Sequence, residues 1–255
     1  MTNGGRPWSD RPMSKSEKYV DYEAAWDGYA QRWRQAHPGL EHLGDEWIGR
    51  EAGAAQSLAD YVALIRDRFV APWIRAEDTV LEIGVGGGRT AAILADHCRQ
   101  LICADVAAGM LELTRRRLQD KPGGGARVEF VKLDGTSLDG IADQAADVCF
   151  CYDTLVHVEP RDIFNYLNLL PRVLRGRRLC VLHHADTLSE RGFAKFLGDW
   201  RHSLGGQRHG EAFSVMTPAI MRRFLDHLGY RVLVEDHDSV PRDCVWVCEA
   251  PAAIG

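Results

Sequence analysis

The sequence predicts an α/β fold in which helices cover both faces of a doubly wound, mostly parallel sheet of seven strands. From Thr79 onward, short apolar runs alternate with helical segments, which is typical of parallel strand–helix–strand units. The runs are apolar throughout instead of alternating with polar residues, as expected when both faces of a sheet are buried. Only a short link joins the last two runs, so we expect a terminal antiparallel hairpin.

Each predicted strand is an apolar run that is bounded by turn residues or by a helical segment. The strands cover residues 79–84, 101–105, 128–133, 147–152, 178–183, 231–235 and 245–249. The helices between them cover residues 89–98, 109–119, 162–174 and 217–228, and Gly229 ends the last one.

The segment before the sheet is rich in aromatic residues and predicts an N-terminal helical cap that breaks at Pro38-Gly39. Trp26, Tyr29 and Trp33 recur at helical spacing and form one stripe. The stripe either packs on the main domain or closes as a lid over a pocket, and both can hold together.

A single domain with three decorations is expected for this length. We predict a flexible polar tail (1–20), the helical cap (21–70), the α/β core (71–184 and 217–255) and a long irregular insert (185–216). Loops as long as this insert are usually functional in a compact domain.

Composition excludes several classes of protein. The net charge of -5 argues against a dedicated nucleic-acid binder. No apolar run reaches the roughly 18 residues of a membrane span, and the first residues lack the apolar segment of a secretory signal. Seven cysteines in apolar surroundings are expected to be buried, reduced thiols. We therefore expect a cytoplasmic protein without a membrane partner.

The strongest motif runs from Glu82 to Gly88 and reads EIGVGGG. Glycines after a strand permit a tight turn and a close approach of a ligand to the backbone. A dinucleotide site would favour Gly or Ala where Arg89 stands, and the Glu82 carboxylate would repel a pyrophosphate. A ligand with a sulfonium and an ammonium group would tolerate that acid.

Acidic residues follow three further strands at the end of the sheet where ligands bind in open α/β folds. Asp105 ends the second strand, where it can hold ribose hydroxyls. Asp134-Gly135-Thr136 follows the third strand, where the aspartate can accept from an adenine amino group. Alone this tripeptide would be a turn. The segment from Asp147 to Glu159 carries Asp153 and His157 past the fourth strand.

These four segments, in this order, resemble the class I (Rossmann-like) S-adenosylmethionine-dependent methyltransferase family over roughly residues 47–249. The resemblance implies S-adenosylmethionine as co-substrate. It also implies a set of cofactor-binding residues: Glu82, Gly84, Val85, Gly86, Gly88, Asp105, Val106, Met110, Asp134, Gly135, Thr136 and Tyr152.

Methylation of a hydroxyl needs a base, and histidine matches neutral pH best. The candidate catalytic residues are His157, His183, His184 and Asp153, which follow the fourth and fifth strands. Their spacing indicates no metal site, so we expect no metal. Polar residues of the insert either line the acceptor pocket or face solvent, and we favour solvent: His202, Arg208 and His209.

The favoured function is methyl transfer to a small-molecule acceptor, a hydroxyl of a sugar or a natural-product intermediate. The fourth motif reads CYDT, which disfavours methylation of amino groups on DNA bases, and no nucleic-acid partner is expected. A peptide or amine acceptor, a regulatory protein that binds the cofactor without turnover, and a nicotinamide oxidoreductase are the alternatives. Homodimer formation is left open.

Overall fold

The protein is described by a computed structural model that covers residues 19–47, 57–119, 125–204 and 208–253. Most of the predicted tail, part of the cap, the KPGG turn and the side chain of His202 lie outside these residues. No helix in the described ranges is long and apolar enough to cross a membrane.

The sheet has seven strands in the order β3-β2-β1-β4-β5-β7-β6. They are β1 (Thr79–Ile83), β2 (Gln100–Asp105), β3 (Arg127–Lys132), β4 (Ala146–Cys151), β5 (Leu174–Ala185), β6 (Arg231–Asp236) and β7 (Asp243–Glu249). The first five strands pair in parallel. The last strand pairs antiparallel with both of its neighbours, so the predicted sheet and hairpin are confirmed.

Seven α-helices are described in the same ranges of the chain. They are α1 (Tyr22–Ala36), α2 (Leu58–Ile65), α3 (Arg89–Leu94), α4 (Ala108–Gln119), α5 (Pro160–Val173), α6 (Glu190–Asp199) and α7 (Pro218–Leu228). A π-helical turn, Arg66–Val70, continues α2. As predicted, Gly229 ends α7 in the left-handed conformation.

Two buried layers sandwich the sheet. One contains apolar residues of α5 and α7, such as Ile163, Leu167 and Leu225. The other contains residues of α2 and α3, such as Ile65 and Leu94. Burial of both sheet faces explains why the strands are apolar throughout.

The N-terminal helix α1 lies across the carboxyl end of the sheet because it packs on α4. Trp33 is buried against Ala107 and Met110. The Asp27 carboxylate accepts a hydrogen bond from Gly109 N (2.8 Å) in the first turn of α4, where backbone N–H groups lack helical partners. The aromatic stripe therefore packs on the main domain.

The insert differs from its prediction as an irregular loop. It contains α6 and a 3₁₀ turn, Trp200–Ser203. Ser189 caps α6 by accepting a hydrogen bond from Gly192 N (2.9 Å). A Cβ at Gly192 would lie 1.9 Å from Asp186 O. That glycine allows close packing of the helix against the preceding segment.

Two further boundaries were wrong. β5 begins at Leu174 instead of Arg178, because β4 and β5 pair again beyond a bulge. α3 ends at Leu94 instead of Cys98, and a turn follows it.

Candidate functional site

A pocket opens at the carboxyl ends of the central strands and measures about 700 Å³, including its mouth to solvent. Parallel strands direct these ends to one edge of the sheet, where open α/β folds bind ligands. The pocket is lined by Tyr22, Trp26, Ile83, Gly84, Gly86, Asp105, Val106, Met110, Leu133, Asp153, Thr154, Leu155, Val158 and Tyr166. The predicted residues Gly84, Gly86, Asp105, Val106, Met110 and Asp153 are thereby brought together.

The glycine-rich turn forms the floor of this pocket. Gly84 and Gly86 have positive φ angles of 77° and 53°, which favour glycine. A Cβ at Gly84 would lie 2.2 Å from the Thr154 side chain, whereas a Cβ at Gly86 would meet nothing within 4 Å. Gly84 therefore permits the loops to meet, and Gly86 leaves room for a ligand.

Asp105 lies beside this turn at the end of β2. Its Oδ2 accepts a hydrogen bond from Gly86 N (3.0 Å), and its Oδ1 accepts one from Ala107 N (2.9 Å). Burial raises the pKa of the Asp105 carboxyl to about 6, although these backbone hydrogen bonds oppose the rise. Each oxygen keeps a second lone pair that could accept from a ligand hydroxyl.

Glu82 lies beneath the turn and does not line the pocket. Its side chain is buried, and no hydrogen-bond partner is described for Oε2. Burial, and then the nearby Asp105 charge, raise the pKa of the Glu82 carboxyl well above its usual range. Because these two acids lie close together, a negatively charged group of a ligand would be unfavourable in this part of the protein.

Asp153 faces the pocket from the loop after β4. Its backbone has a φ of 58°, which is uncommon outside glycine. Arg89 donates to Asp153 Oδ2 (2.5 Å) and to Gly44 O (2.7 Å), and its guanidinium lies 4.1 Å from the centre of the Tyr61 ring. The arginine is thus committed to this ion pair and to the cap.

Two aromatic residues of α1 form the outer wall of the pocket. Tyr22 donates to Asp162 Oδ2 (3.0 Å) and accepts from Glu159 N (2.8 Å), which fixes α1 to the start of α5. Trp26 contacts the His157 ring edge-on, with 4.9 Å between ring centres. Of the aromatic stripe, Trp26 bounds the pocket, whereas Tyr29 and Trp33 do not belong to its described lining. That the stripe acts as a lid stays a prediction.

His157 lies behind Trp26, half-buried. Its Nδ1 is 3.4 Å from Ala212 O, which places the proton on Nδ1 and leaves Nε2 to accept. Within the described ranges, no residue is hydrogen-bonded to Nε2. Burial, reinforced by the Arg242 charge, lowers the pKa of His157 to about 4, so the ring is neutral at pH 7.

The other two histidines are fully buried and use both ring nitrogens. His184 Nδ1 bonds to Ala185 O (2.7 Å), and its Nε2 accepts from Trp246 Nε1 (2.8 Å). Burial lowers the pKa of His184 to about 4. His183 Nδ1 accepts from Asp153 N (3.0 Å), and its Nε2 bonds to Asp243 (3.1 Å). Both ring nitrogens of each histidine are thus occupied, so neither residue has a free nitrogen that could act as a base. That either residue is the base stays a prediction.

Several predicted cofactor residues lie outside the pocket lining. The Asp134 carboxylate accepts from Thr136 N (2.8 Å) and Ser137 N (2.7 Å) in its own turn. Its pKa is low, because these hydrogen bonds outweigh the desolvation that raises it. Gly135 belongs to this turn. The side chains of Val85 and Tyr152 pack in the buried layer of α2 and α3, and Gly88 caps α3. Their contacts to a cofactor stay predictions.

One expectation about the insert was wrong. Arg208 is buried instead of solvent-facing, because it donates to His157 O (2.9 Å) and pairs with Glu159 (2.7 Å). His209 is exposed as predicted.

Two groups of side chains carry donor atoms of the kinds that bind metals. One contains Asp153, His183 and Asp243, and the other contains Glu235, His237 and Cys244. In the first group Arg89 and Arg242 already neutralise the carboxylates. A metal does not fit there, since two guanidinium groups would repel it. That no metal is used stays a prediction.

Sequence reasoning missed part of the apolar lining, notably Leu133, Leu155, Val158 and Tyr166. Such residues are indistinguishable from core positions by pattern alone. Tyr22 and Trp26 did carry a signal, because residues four apart share one face of a helix.

Part of the chain is similar to known methyltransferases. Residues 80–177 match the family model described as "Methyltransferase domain". The chain is 37% identical over 115 residues to the demethylmenaquinone methyltransferase of Clavibacter sepedonicus, covering 45% of this chain and 43% of that protein. It is 32% identical over 85 residues to the methyltransferase nsrG of Aspergillus novofumigatus, covering 33% and 31%. The matches thus span less than half of these relatives.

Solved structures share the fold at low sequence identity. Magnesium protoporphyrin IX methyltransferase of Synechocystis PCC 6803, with bound S-adenosylhomocysteine, superposes with a TM-score of 0.62 and 18% identity, covering 90% of this chain and 98% of that one. The matched domain contains the glycine-rich turn, Asp105 and Asp153, and the sheet has the same fold class. Residues 80–177 thus match a methyltransferase domain, and the chain shares the fold of a methyltransferase solved with S-adenosylhomocysteine bound.

Proposed function

We propose that this protein transfers a methyl group from S-adenosylmethionine to a hydroxyl of a small molecule, a natural-product intermediate or a sugar. The reaction takes place in one domain made of the cap, the core and the insert. It needs no nucleic acid, membrane or metal. A cytoplasmic, biosynthetic role follows from the same proposal. The names of two similar proteins, a demethylmenaquinone and a magnesium protoporphyrin IX methyltransferase, support a small-molecule acceptor.

The charge of the pocket lining carries the proposal. Asp105 and Asp153 are the charged residues of the described lining, which contains no lysine or arginine. A phosphate-bearing nucleotide would meet these two carboxylates, and Arg89, which lies next to Asp153, is already paired with it. A ligand that carries a sulfonium and an ammonium group would be attracted to both.

The shape and polarity of the pocket also fit an adenosyl ligand. Asp105 could accept from ribose hydroxyls with its remaining lone pairs. Val106, Met110 and Leu133 give an apolar wall for a flat base. The carboxylate of Asp153 could accept from the ammonium group, and the bare backbone at Gly86 leaves room for the chain between them.

When bound, the donor supplies a methyl group that is already activated by its positive sulfur. The protein must then exclude water, align the acceptor oxygen and accept its proton. Tyr22 and Trp26 cover the pocket. His157 is not itself a lining residue, but its ring contacts Trp26, which is one. Its Nε2 carries no proton, so we assign the proton-accepting role to this atom. Asp153 contributes through its negative charge, which attracts the positively charged donor.

The low pKa of His157 also bears on the acceptor. A base with a pKa of about 4 is neutral at pH 7 but weak. Proton transfer is most effective when donor and acceptor pKa values are close. The site therefore matches an acidic hydroxyl, such as a phenol or an enol, better than the alcohol of a sugar.

The test is methyl incorporation from labelled S-adenosylmethionine into a panel of phenols, sugars, amines and peptides. We expect labelling of a phenolic or enolic acceptor. Incorporation into peptides or amines alone, or no transfer to any member, would contradict the proposed acceptor class.

A second arm tests the base. His157→Ala should lower kcat by about 10²- to 10⁴-fold, the usual contribution of a general base, while S-adenosylhomocysteine binds with unchanged affinity. His227→Ala is the matched control, because this histidine packs against Phe164, outside the pocket lining, and should keep the wild-type kcat. Full activity of His157→Ala would place the base elsewhere.

A further inference from the structure

The backbone at Asp153 adopts a conformation that needs support. Its φ of 58° lies in the left-handed region, which aspartate adopts only at a cost in energy. Such strain persists where neighbouring groups hold it in place. Here the carboxylate is bonded to Arg89, and the backbone N–H donates to His183 Nδ1 (3.0 Å).

His183 is itself fixed in one orientation and one tautomer. Since Nδ1 accepts from Asp153 N, it carries no proton, and the proton lies on Nε2. That N–H donates to Asp243 Oδ2 (3.1 Å). Arg242 bonds both oxygens of Asp243 (2.9 and 2.7 Å). The ring also stacks on Tyr152, with 4.2 Å between ring centres.

These contacts form a buried chain of hydrogen bonds that ends at the pocket. His183 and Asp243 are almost completely buried, at 0% and 1% exposure. Removing the ring would leave the Asp153 N–H without its partner and would release the left-handed turn. The carboxylate of Asp153 would then leave its place between Arg89 and the pocket.

We propose that His183 is a positioning residue that holds Asp153 in its left-handed conformation against the methyl-donor pocket. The inference rests on the proposed function and assigns His183 no proton transfer with the acceptor. It predicts that binding of the methyl donor depends on a hydrogen-bond acceptor at the Nδ1 position and not on the basicity of the imidazole.

Two substitutions separate these roles. In His183→Asn the amide oxygen can take the place of Nδ1 and accept from Asp153 N, whereas His183→Ala provides no acceptor. We expect His183→Ala to weaken S-adenosylhomocysteine binding by about 5- to 150-fold, the loss that corresponds to a buried donor left without its partner. His183→Asn should bind within about threefold of wild type and keep the wild-type pH profile of kcat. His97→Asn, outside the pocket lining, controls for the chemical change.

Binding is measured by calorimetry and kcat against pH with an acceptor from the panel. Wild-type affinity in both His183 variants would overturn the inference, as would a loss of kcat in His183→Asn with unchanged donor affinity, which is the signature of a base. If His183→Ala does not fold, His183→Asn still tests the inference. A large loss of S-adenosylhomocysteine affinity in His183→Asn, with wild-type affinity in His97→Asn, would contradict it. Absence of binding by the wild-type protein would instead remove the proposed function.

Discussion

At the scale of single residues, two opposing effects act on the pKa of Asp105. It is 5% exposed, yet both of its oxygens bond backbone N–H groups of Gly86 and Ala107. Burial prevails, and the pKa of its carboxyl rises to about 6. A ligand that brings hydroxyl donors or positive charge favours the ionised form and must lower that pKa on binding.

Donor affinity should therefore depend on pH between 5 and 7.5. Above the pKa of about 6 that Asp105 has in the ligand-free protein, its carboxyl is already ionised, and the donor binds with maximal affinity. As the pH falls through 6, binding must first remove a proton, and affinity drops by up to about tenfold per pH unit. The measurement is calorimetric titration with S-adenosylhomocysteine at pH 5.0, 6.0 and 7.5.

Asp105→Asn is the control for this pH effect. It should bind more weakly and with a smaller pH dependence in this range, because the titrating carboxyl in the lining is gone and Glu82, whose pKa is also raised, does not line the pocket. His157, with a pKa of about 4, contributes nothing between pH 5 and 7.5. Equal wild-type affinity at the three pH values would show that Asp105 does not contact the ligand.

At the scale of elements, the glycine-rich turn owes its composition to packing as much as to a ligand. A Cβ at Gly87 would lie 2.0 Å from Leu43 O, a backbone atom of the segment that follows α1. The same segment is held by Arg89 at Gly44 and by the Arg117–Asp45 ion pair (3.1 Å). The turn thus supports the cap directly.

Gly87→Ala should displace this segment from the turn. Overpacking against backbone typically costs about 1–3 kcal/mol, so we expect a lower Tm and weaker binding of S-adenosylhomocysteine. Gly198→Ala, in α6 with nothing within 4 Å of the added Cβ, is the matched control and should leave both unchanged. Wild-type binding by Gly87→Ala would show that the cap does not need this close approach.

The sequence identifies most strands and helices because their signals are local. Apolar runs between turn residues predict β1 and β2, and the Gly229 end of α7 follows from a local preference. α6 was missed because Gly192 is required by an approach to Asp186 that only the fold creates.

The same distinction, between local signals and contacts that only the fold creates, applies to the predicted site. Asp105 and Asp153 were found because they follow strands, whose carboxyl ends meet at one edge. The bonding of His183 was not found, because its partner Asp243 lies 60 residues away. A periodic pattern does not show which ring nitrogen is free.

At the scale of the whole molecule, the pocket exists only when distant segments meet. Tyr22 of α1 bonds Asp162, which is 140 residues further along the chain, and Asp105 and Asp153 come from separate strand ends. No single segment carries the site, so ligand binding stabilises the folded state as a whole.

The central claim is that this pocket accepts an adenosyl sulfonium and rejects a nucleotide that carries phosphate. Calorimetric titration of the full chain with S-adenosylhomocysteine, NAD and ATP in parallel tests it most directly. The account predicts saturable 1:1 binding of S-adenosylhomocysteine and no measurable heat with the other two. Tight binding of NAD or ATP, with none of S-adenosylhomocysteine, would contradict it.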